Sequence, residues 1–136
     1  MKIIKKFTFD SAHQLWNDEW SKEENLNVYG KCTNLHGHTY HLSVVVSGED
    51  GESGMVMNFT DLKRIVKENV ISRYDHCYLN DLEEFEGRPT TSENIAQVVF
   101  NMLTPIIAAY PGVKLEEIRL SETPTSEAIV SSATNL

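Results

Sequence analysis

A His-Gly-His triplet constrains this chain more than any other stretch. His36 and His38 flank Gly37, and on an extended strand residues two apart project from the same face. The glycine leaves room where a ligand or a second backbone comes close. Two imidazoles on one face suit a borderline-soft divalent metal, and a catalytic zinc site needs a third protein ligand and one open position. The rest of the chain must therefore bring a third ligand to this strand.

Two other histidines are candidates for that third ligand. His13 follows a predicted strand and shares its aromatic face, where a ligand is held rigidly. His76 stands beside Asp75 in a polar connection, a setting that suits a mobile acid or base. The residues alone favour His13, with His76 as the alternative. His41, three residues after His38, is predicted to point to the opposite face and to take no part.

Cys32 precedes the histidine pair and has two functional interpretations. The spacing Cys32-x3-His36-x-His38 could form a closed structural zinc site with one more ligand. Alternatively, the Cys32 thiolate acts as a base or nucleophile beside the metal. An inert buried cysteine is the third interpretation, and it is the one we favour for Cys77, which has no such neighbours.

Glu122 interrupts an apolar pattern near the end of the chain. It lies two residues after Leu120 and four after Ile118. A strand that continues through it would therefore turn its carboxylate to the same side as these two apolar residues, toward the core. A buried carboxylate needs partners, and a ligand with two adjacent N–H donors would supply them. If the strand instead ends at Ser121, Glu122 is simply solvated.

The run Thr90-Thr91-Ser92-Glu93 opens a predicted helix. Thr90 and Glu93 match a capping box, which explains both residues without a function. The amides at a helix N-terminus can nevertheless bind a ligand. Thr91, Ser92 and Glu93 are therefore candidate substrate-binding residues.

The order of the predicted elements favours an α+β fold, an antiparallel sheet with two helices on one face. Helices are predicted from Asn58 or Thr60 to about residue 70, and from about 91 to 109. Residues 17–31 lack a clear period and predict a long loop. At this length the whole range 1–136 is expected to form one domain. The predicted strands span residues 3–9, 35–47, 55–57 as a short returning partner, 113–121 and 127–131.

Charge and composition exclude several classes of function. The formal net charge of −8 argues against a nucleic-acid partner, and an anionic substrate would need a local basic pocket. No apolar run reaches membrane-spanning length. The two cysteines do not suggest a disulfide framework. We therefore expect a cytoplasmic protein that binds a small molecule and neither a membrane nor nucleic acid.

Six motifs follow one another in a characteristic order along nearly the whole chain. They are Phe9-Asp10-Ser11-Ala12-His13, Cys32-x3-His36-Gly37-His38, Gly54-Met55-Val56-Met57-Asn58-Phe59, Asp75-His76, Pro89-Thr90-Thr91-Ser92-Glu93-Asn94 and Glu122-Thr123-Pro124-Thr125-Ser126. Together they resemble the 6-pyruvoyltetrahydropterin synthase / 6-carboxytetrahydropterin synthase family.

The resemblance implies a tunnelling fold, with a four-stranded antiparallel sheet and two helices. It implies a homohexamer of two trimers, whose active sites lie between subunits. It also implies Zn2+ bound by His13, His36 and His38, in agreement with the parity of these residues.

The resemblance further implies 7,8-dihydroneopterin triphosphate as the substrate. Cys32, Asp75 and His76 would transfer protons, and Glu122 would bind the pterin ring. Lys31 and Arg88 are weak candidates for contacts with the triphosphate.

Two reactions are known for this family. One eliminates triphosphate to give 6-pyruvoyltetrahydropterin for tetrahydrobiopterin. The other gives 6-carboxy-5,6,7,8-tetrahydropterin for queuosine and also releases acetaldehyde. The three-residue gap between Cys32 and His36 and the segment 122–126 resemble the queuosine type, whereas residues 24–32 and 54–57 resemble the biopterin type. We expect the queuosine lyase; the alternatives are the pyruvoyl enzyme and a non-catalytic, zinc-stabilised pterin-binding module.

Overall fold

The two longest strands of the computed structural model, which describes residues 1–133, lie side by side. Strand β1 spans Lys2–His13 and β2 spans His36–Ser47. They are antiparallel, and their register sets His13 opposite His36. Every second residue in the later half of β1 is buried, because successive strand side chains point to opposite faces.

The sheet has five strands in the order β3-β1-β2-β4-β5, where β3 is Cys77–Tyr78, β4 is Lys114–Thr123 and β5 is Ser126–Ser131. The four long strands are antiparallel, as predicted. A sheet of four strands alone is wrong, because β3 adds a parallel edge pair with β1. A strand of two residues has no period for sequence analysis to detect.

In the described residues four α-helices accompany the sheet: α1 (Lys22–Tyr29), α2 (Phe59–Val66), α3 (Ser72–Tyr74) and α4 (Ser92–Ala108). A π-helical turn, Lys67–Ile71, joins α2 to α3. Helix α2 begins after Asn58, whose side chain accepts a hydrogen bond from the Thr60 amide. None of the helices in the described range is both long and apolar enough to cross a membrane.

The helices α2 and α4 pack against one face of the sheet, which we call the helix face. Its core includes Phe9, Tyr40, Leu42, Leu62, Ile95, Leu103, Ile118 and Leu120. The opposite face, which we call the open face, presents the alternate residues of the same strands. On β1 and β2 these include Thr8, Asp10, Gly37, Thr39 and His41, all exposed.

The prediction of a loop over residues 17–31 is wrong, because α1 lies within it. Ser21 caps this helix by accepting a hydrogen bond from the Glu24 amide, and Glu23 and Glu24 favour its N-terminus. The only buried residue of α1 is Asn25. The helix therefore lacks the apolar stripe on which the prediction depended, although Ser21 and Glu24 have the spacing of a capping box.

The predicted strand at residues 55–57 is also wrong. This segment is a bend, with Val56 and Met57 buried in the core. Strand β2 pairs with β1 on one side and with β4 on the other. No edge of β2 is left for a returning strand, so the chain crosses from β2 to α2 without joining the sheet.

Candidate functional site

Three imidazoles meet on the helix face at one end of the sheet. The ring centroids of His13 and His36 are 4.5 Å apart, those of His13 and His38 are 5.2 Å apart, and those of His36 and His38 are 5.0 Å apart. One ring nitrogen from each lies within 4.8 Å of the others. Strand alternation aligns His36 with His38, and the β1–β2 register brings in His13. It is therefore His13, and not His76, that lies with the pair.

Backbone carbonyls set the tautomers of two of these rings. His13 Nδ1 donates to the Thr90 carbonyl at 2.8 Å, and His36 Nδ1 donates to the Asn34 carbonyl at 2.7 Å. A carbonyl oxygen can only accept, so Nδ1 carries the proton in both rings and Nε2 keeps its lone pair. Such outer contacts typically orient metal-binding histidines.

The donor set fits a zinc ion. Nε2 of His13 and Nε2 of His38 are buried, and neither has a hydrogen-bond partner among residues 1–133. Burial lowers the pKa of His13 and also that of His38, which favours the neutral imidazole that a metal requires. Three neutral imidazoles leave one position of a tetrahedral ion open.

Glu122 lies beside this cluster because β4 continues through it to Thr123. Its Oε1 is 3.3 Å from His38 Nε2, close enough for electrostatic attraction, although that nitrogen makes no aligned hydrogen bond. Its Oε2 accepts a hydrogen bond from the Ser92 hydroxyl at 2.9 Å. The side chain is 25% exposed. A carboxylate that is partly buried and not saturated by protein donors can accept N–H groups from a ligand.

The N-cap of α4 is Thr91, whose hydroxyl accepts a hydrogen bond from the Asn94 amide at 3.2 Å. The predicted capping box of Thr90 and Glu93 is therefore wrong. Thr90 is fully buried, and its carbonyl is the acceptor for His13. Burial and contact with the imidazole cluster outweigh the local capping preference.

The candidate substrate-binding residues at this helix start differ in their surroundings. Thr91 caps the helix, and Ser92 holds the Glu122 carboxylate. Glu93 is exposed. Of the three, Ser92 is the one with direct contact to the side chains of the site.

Asp75 and His76 form a hydrogen-bonded pair between α3 and β3. Asp75 Oδ2 is 2.9 Å from His76 Nδ1, and Asp75 Oδ1 accepts the Asp10 amide at 2.9 Å. The hydrogen bond that the Asp10 amide donates is the main cause of a lowered pKa at Asp75, and the hydrogen bond that His76 donates to Asp75 raises the pKa of His76. The His76 ring is 77% exposed. An exposed imidazole with a carboxylate partner is well suited to proton transfer.

This Asp75–His76 pair opens onto the other side of the sheet from the three imidazoles. His76 lines a cavity of ≈ 540 Å³ together with the open-face residues Asp10, Gly37 and Thr39. The Thr39 hydroxyl donates to the Asp10 carboxylate at 2.5 Å. His38 also lines this cavity, but its ring lies with those of His13 and His36. Within one copy of the chain, the β1–β2 sheet therefore lies between the Asp75–His76 pair and the three rings.

Cys32 lies in a 3-10 turn, Gly30–Thr33, immediately before β2. Its thiol is free and partly buried, and its carbonyl accepts a hydrogen bond from the Leu15 amide at 2.9 Å. Among residues 1–133 the thiol belongs to neither cluster of possible metal ligands. The geometry therefore provides no support for a closed Cys-His-His site.

Two polar residues that sequence analysis missed connect these parts. The Gln14 side chain donates to the Thr33 carbonyl at 3.0 Å and accepts from the Tyr78 hydroxyl at 2.5 Å. The Asn80 side chain bonds both the amide and the carbonyl of Gln14, at 3.0 and 2.8 Å. Gln14 thus links His13 to the turn that carries Cys32. Single polar residues after a strand carry no periodic signal that could have marked them.

The chain is similar to known proteins along most of its length. Residues 2–133 match the family model described as 6-pyruvoyl tetrahydropterin synthase. The chain is 41% identical over 123 residues to the 6-pyruvoyl tetrahydrobiopterin synthase of Dictyostelium discoideum, covering 89% of this chain and 88% of the relative. It is 37% identical to the 6-carboxy-5,6,7,8-tetrahydropterin synthase of Haemophilus influenzae, covering 92% and 94%.

The fold has a solved counterpart as well. The structure of Caenorhabditis elegans 6-pyruvoyl tetrahydropterin synthase superposes with a TM-score of 0.89 at 31% identity, covering 97% of this chain and 95% of that one. The resemblance therefore extends from the motifs to the whole fold.

Proposed function

Because the chain belongs to the 6-pyruvoyl tetrahydropterin synthase family, we propose that it is a zinc-dependent lyase of queuosine biosynthesis. It converts 7,8-dihydroneopterin triphosphate and one water to 6-carboxy-5,6,7,8-tetrahydropterin, acetaldehyde and triphosphate. The observation that carries the proposal is the convergence of three imidazoles with two buried, unpartnered Nε2 atoms.

His13, His36 and His38 would hold the metal through Nε2, since the Nδ1 atoms of His13 and His36 are held by backbone carbonyls. Zinc, when bound, polarises substrate oxygens and stabilises negative charge that develops on them. Glu122 accepts two N–H bonds from the amino-pyrimidinone edge of the pterin, in the fork geometry that a carboxylate favours. Ser92 keeps that carboxylate in place.

Proton transfer is assigned to three residues. Cys32, as a thiolate, removes a proton from the substrate side chain. His76 returns a proton during the rearrangement, and Asp75 orients its ring. The raised pKa of His76 keeps this donor protonated at higher pH than an isolated imidazole.

We propose that each site takes residues from two copies in a homohexamer. His76 and the three imidazoles face opposite sides of the sheet in one copy, so His76 serves the metal site of a neighbour. Two strand edges are available for assembly in the described residues. Strand β1 has a partner beyond β2 only at Ser11 and Ala12, and β5 pairs with β4 alone. Unpaired edges of this kind associate with other chains.

The product distinguishes the two branches of the family. The three-residue gap between Cys32 and His36 supports the carboxy product. The pyruvoyl product remains the second candidate, because relatives of both names match nearly the full chain. Purified protein should be incubated with 7,8-dihydroneopterin triphosphate and assayed for acetaldehyde. A pyruvoyl product without acetaldehyde would reverse the assignment.

We also propose that the protein acts in the cytoplasm as a single pterin-synthase domain over residues 1–136. Support comes from the two free cysteines, Cys32 and Cys77, and from the one sheet and one core that the described residues share.

A further inference from the structure

A basic pocket lies along β1 and takes no part in the proposed metal binding, pterin binding or proton transfer. Its volume is ≈ 370 Å³. Its basic lining is contributed by Lys5, Lys6, His41, Lys63 and Lys67. We call this site the lysine pocket. It holds four of the chain's 12 lysine and arginine residues, although the formal net charge is −8. A cavity that collects a third of the lysine and arginine residues of an acidic chain, with no acidic residue in its lining, favours an anionic ligand.

The four lysines have no carboxylate partner in the part of the chain that the structure describes. Three of the four arginines do have such partners, but no other lysine in the described residues has one either. What distinguishes these four lysines is that they line one pocket. Lys63 and Lys67 are four residues apart and therefore lie on one side of the helical segment. Like charges held together without counterions repel one another, and a bound anion relieves that repulsion.

The lysine pocket adjoins the cavity around His76. That cavity is lined by residues 10–12 of β1 and 37–39 of β2, and the lysine pocket by residues 5–8 and 41–43 of the same strands. At ~3.4 Å per residue, Asp10 is about 7 Å from Thr8 and about 14 Å from Lys6 along the strand. The positive charge of Lys67 also contributes to the lowered pKa of Asp75. The two features form neighbouring parts of one surface.

We propose that the lysine pocket binds the triphosphate group of the substrate and retains the released triphosphate. The identity of the anion rests on the proposed function; four lysines around one small cavity call for a compact polyphosphate of high negative charge. Lysine binds phosphate as a flexible point charge. The reacting carbons then lie near His76, with the triphosphate farther along β1.

The structure favours this site over the one around Arg88. Arg88 lines a cavity whose other charged residues are all acidic, namely Asp18, Glu19, Asp81, Glu83 and Glu86. A triphosphate would be repelled there. Lys5 and Lys6 lie on β1, whose edge is proposed for assembly. Lys63 and Lys67 belong to a helical segment and take no part in sheet pairing, so they are the pair that tests the pocket.

The test compares two variants of equal charge. Lys63→Gln/Lys67→Gln removes two exposed lysines of the pocket, and Lys22→Gln/Lys114→Gln removes two exposed lysines elsewhere. Inorganic triphosphate is titrated calorimetrically into each zinc-loaded oligomer. We expect its affinity to fall about tenfold or more in the pocket variant and less than about twofold in the control. Added salt should weaken binding to the unaltered protein.

Turnover gives a second, independent measurement. In the pocket variant, KM for 7,8-dihydroneopterin triphosphate should rise about tenfold, whereas kcat should change less than about threefold. This is the pattern expected when a variant loses a contact that is equally strong in the bound substrate and in the transition state. Affinity for phosphate-free dihydroneopterin should not change.

Equal triphosphate affinity in the pocket variant and the unaltered protein would overturn the proposal, and so would equal losses in both variants. If the unaltered protein binds inorganic triphosphate through Lys63 and Lys67 but turns over no substrate, the proposed function fails while the site stands. If turnover is normal and KM is unchanged in the pocket variant, the site fails while the function stands.

Discussion

His76 has a left-handed backbone, with φ of +60°, which is uncommon for a residue with a side chain. Its amide donates to the Asp10 carbonyl at 2.6 Å, and its ring bonds Asp75. A conformation of this kind costs on the order of 1–3 kcal/mol and persists where surrounding contacts impose it. A glycine would adopt this backbone conformation without strain. The presence of a histidine at this position is therefore explained by its imidazole ring and not by its backbone.

The protonation state of His76 makes the proposed activity depend on pH. His76 donates a proton only when protonated, and Asp75 raises its pKa. Activity is therefore retained up to that raised pKa and lost above it. Asp75→Asn removes the carboxylate and thus the cause of the raised pKa of His76. The alkaline limb of the plot of kcat against pH should therefore move to lower pH. Asp81→Asn, at another exposed carboxylate, is the control and should leave the limb in place. An unmoved limb in Asp75→Asn would exclude His76 as the donor.

A Cys32 variant separates catalysis from metal binding. Cys32→Ala should keep its zinc, because the thiol lies outside the imidazole cluster, and should lose about 10²- to 10⁴-fold in kcat. Elemental analysis and turnover measure the two effects. Cys77→Ser, which removes the other thiol but keeps a donor for the Tyr74 carbonyl, should stay within a few-fold of the unaltered protein.

Loss of zinc and of folding in Cys32→Ala would instead favour the structural Cys-His-His site. Pterin binding without any turnover by the unaltered protein would favour a non-catalytic binding module.

At the scale of elements, α1 shows a helix organised by one polar side chain. Asn25 is fully buried. Its Oδ1 accepts the Asn17 amide at 2.7 Å, and its Nδ2 donates to the carbonyls of Asn17 and Ser21, both at 3.0 Å. These bonds fold the preceding loop onto the helix, and satisfied buried polar groups of this kind specify one arrangement.

We expect Asn25→Ala to destabilise this segment by about 1–3 kcal/mol, because it leaves buried backbone groups unpaired. Zinc content should be unchanged, since the imidazoles depend on other contacts. Hydrogen exchange over residues 17–29 and thermal unfolding measure the effect. Asn27→Ala, on the exposed side of the same helix, is the matched control. Equal exchange rates in the two variants would contradict the role of Asn25.

At the scale of the whole molecule, the sheet acts as a partition. The three imidazoles, Glu122 and the core lie on its helix face, whereas the Asp75–His76 pair and the neighbouring cavity lie on its open face. Under the proposed function, one copy therefore presents half of the reaction centre on each side. Assembly of several copies would then bring both halves to one substrate.

Subunit mixing tests this arrangement. Cys32→Ala and His76→Ala should each be inactive alone. Co-expressed in equal amounts, they should recover roughly a quarter of normal activity, because random assembly pairs an intact Cys32 with an intact His76 in about one site in four. If both residues served the site of their own chain, no mixed site would be intact and the mixture would stay inactive.

Much of the candidate site could be predicted because its signals are local. A period of two aligned His36 with His38 and placed Glu122 on the side of Leu120. The contacts of Gln14 and Asn80 join residues more than sixty positions apart in the chain, so no local pattern contained them. The two-residue strand β3 and the single buried residue of α1 were likewise too short to give a period.

The sequence by itself determined which residues can bind a metal and on which side of a strand each must lie, because alternation is a property of the extended backbone. Only the tertiary structure decided that Thr90 orients His13, that the Asp75–His76 pair opens on the opposite side of the sheet, and that four lysines gather beside it. These relations depend on register and packing between distant segments, which a linear pattern does not encode.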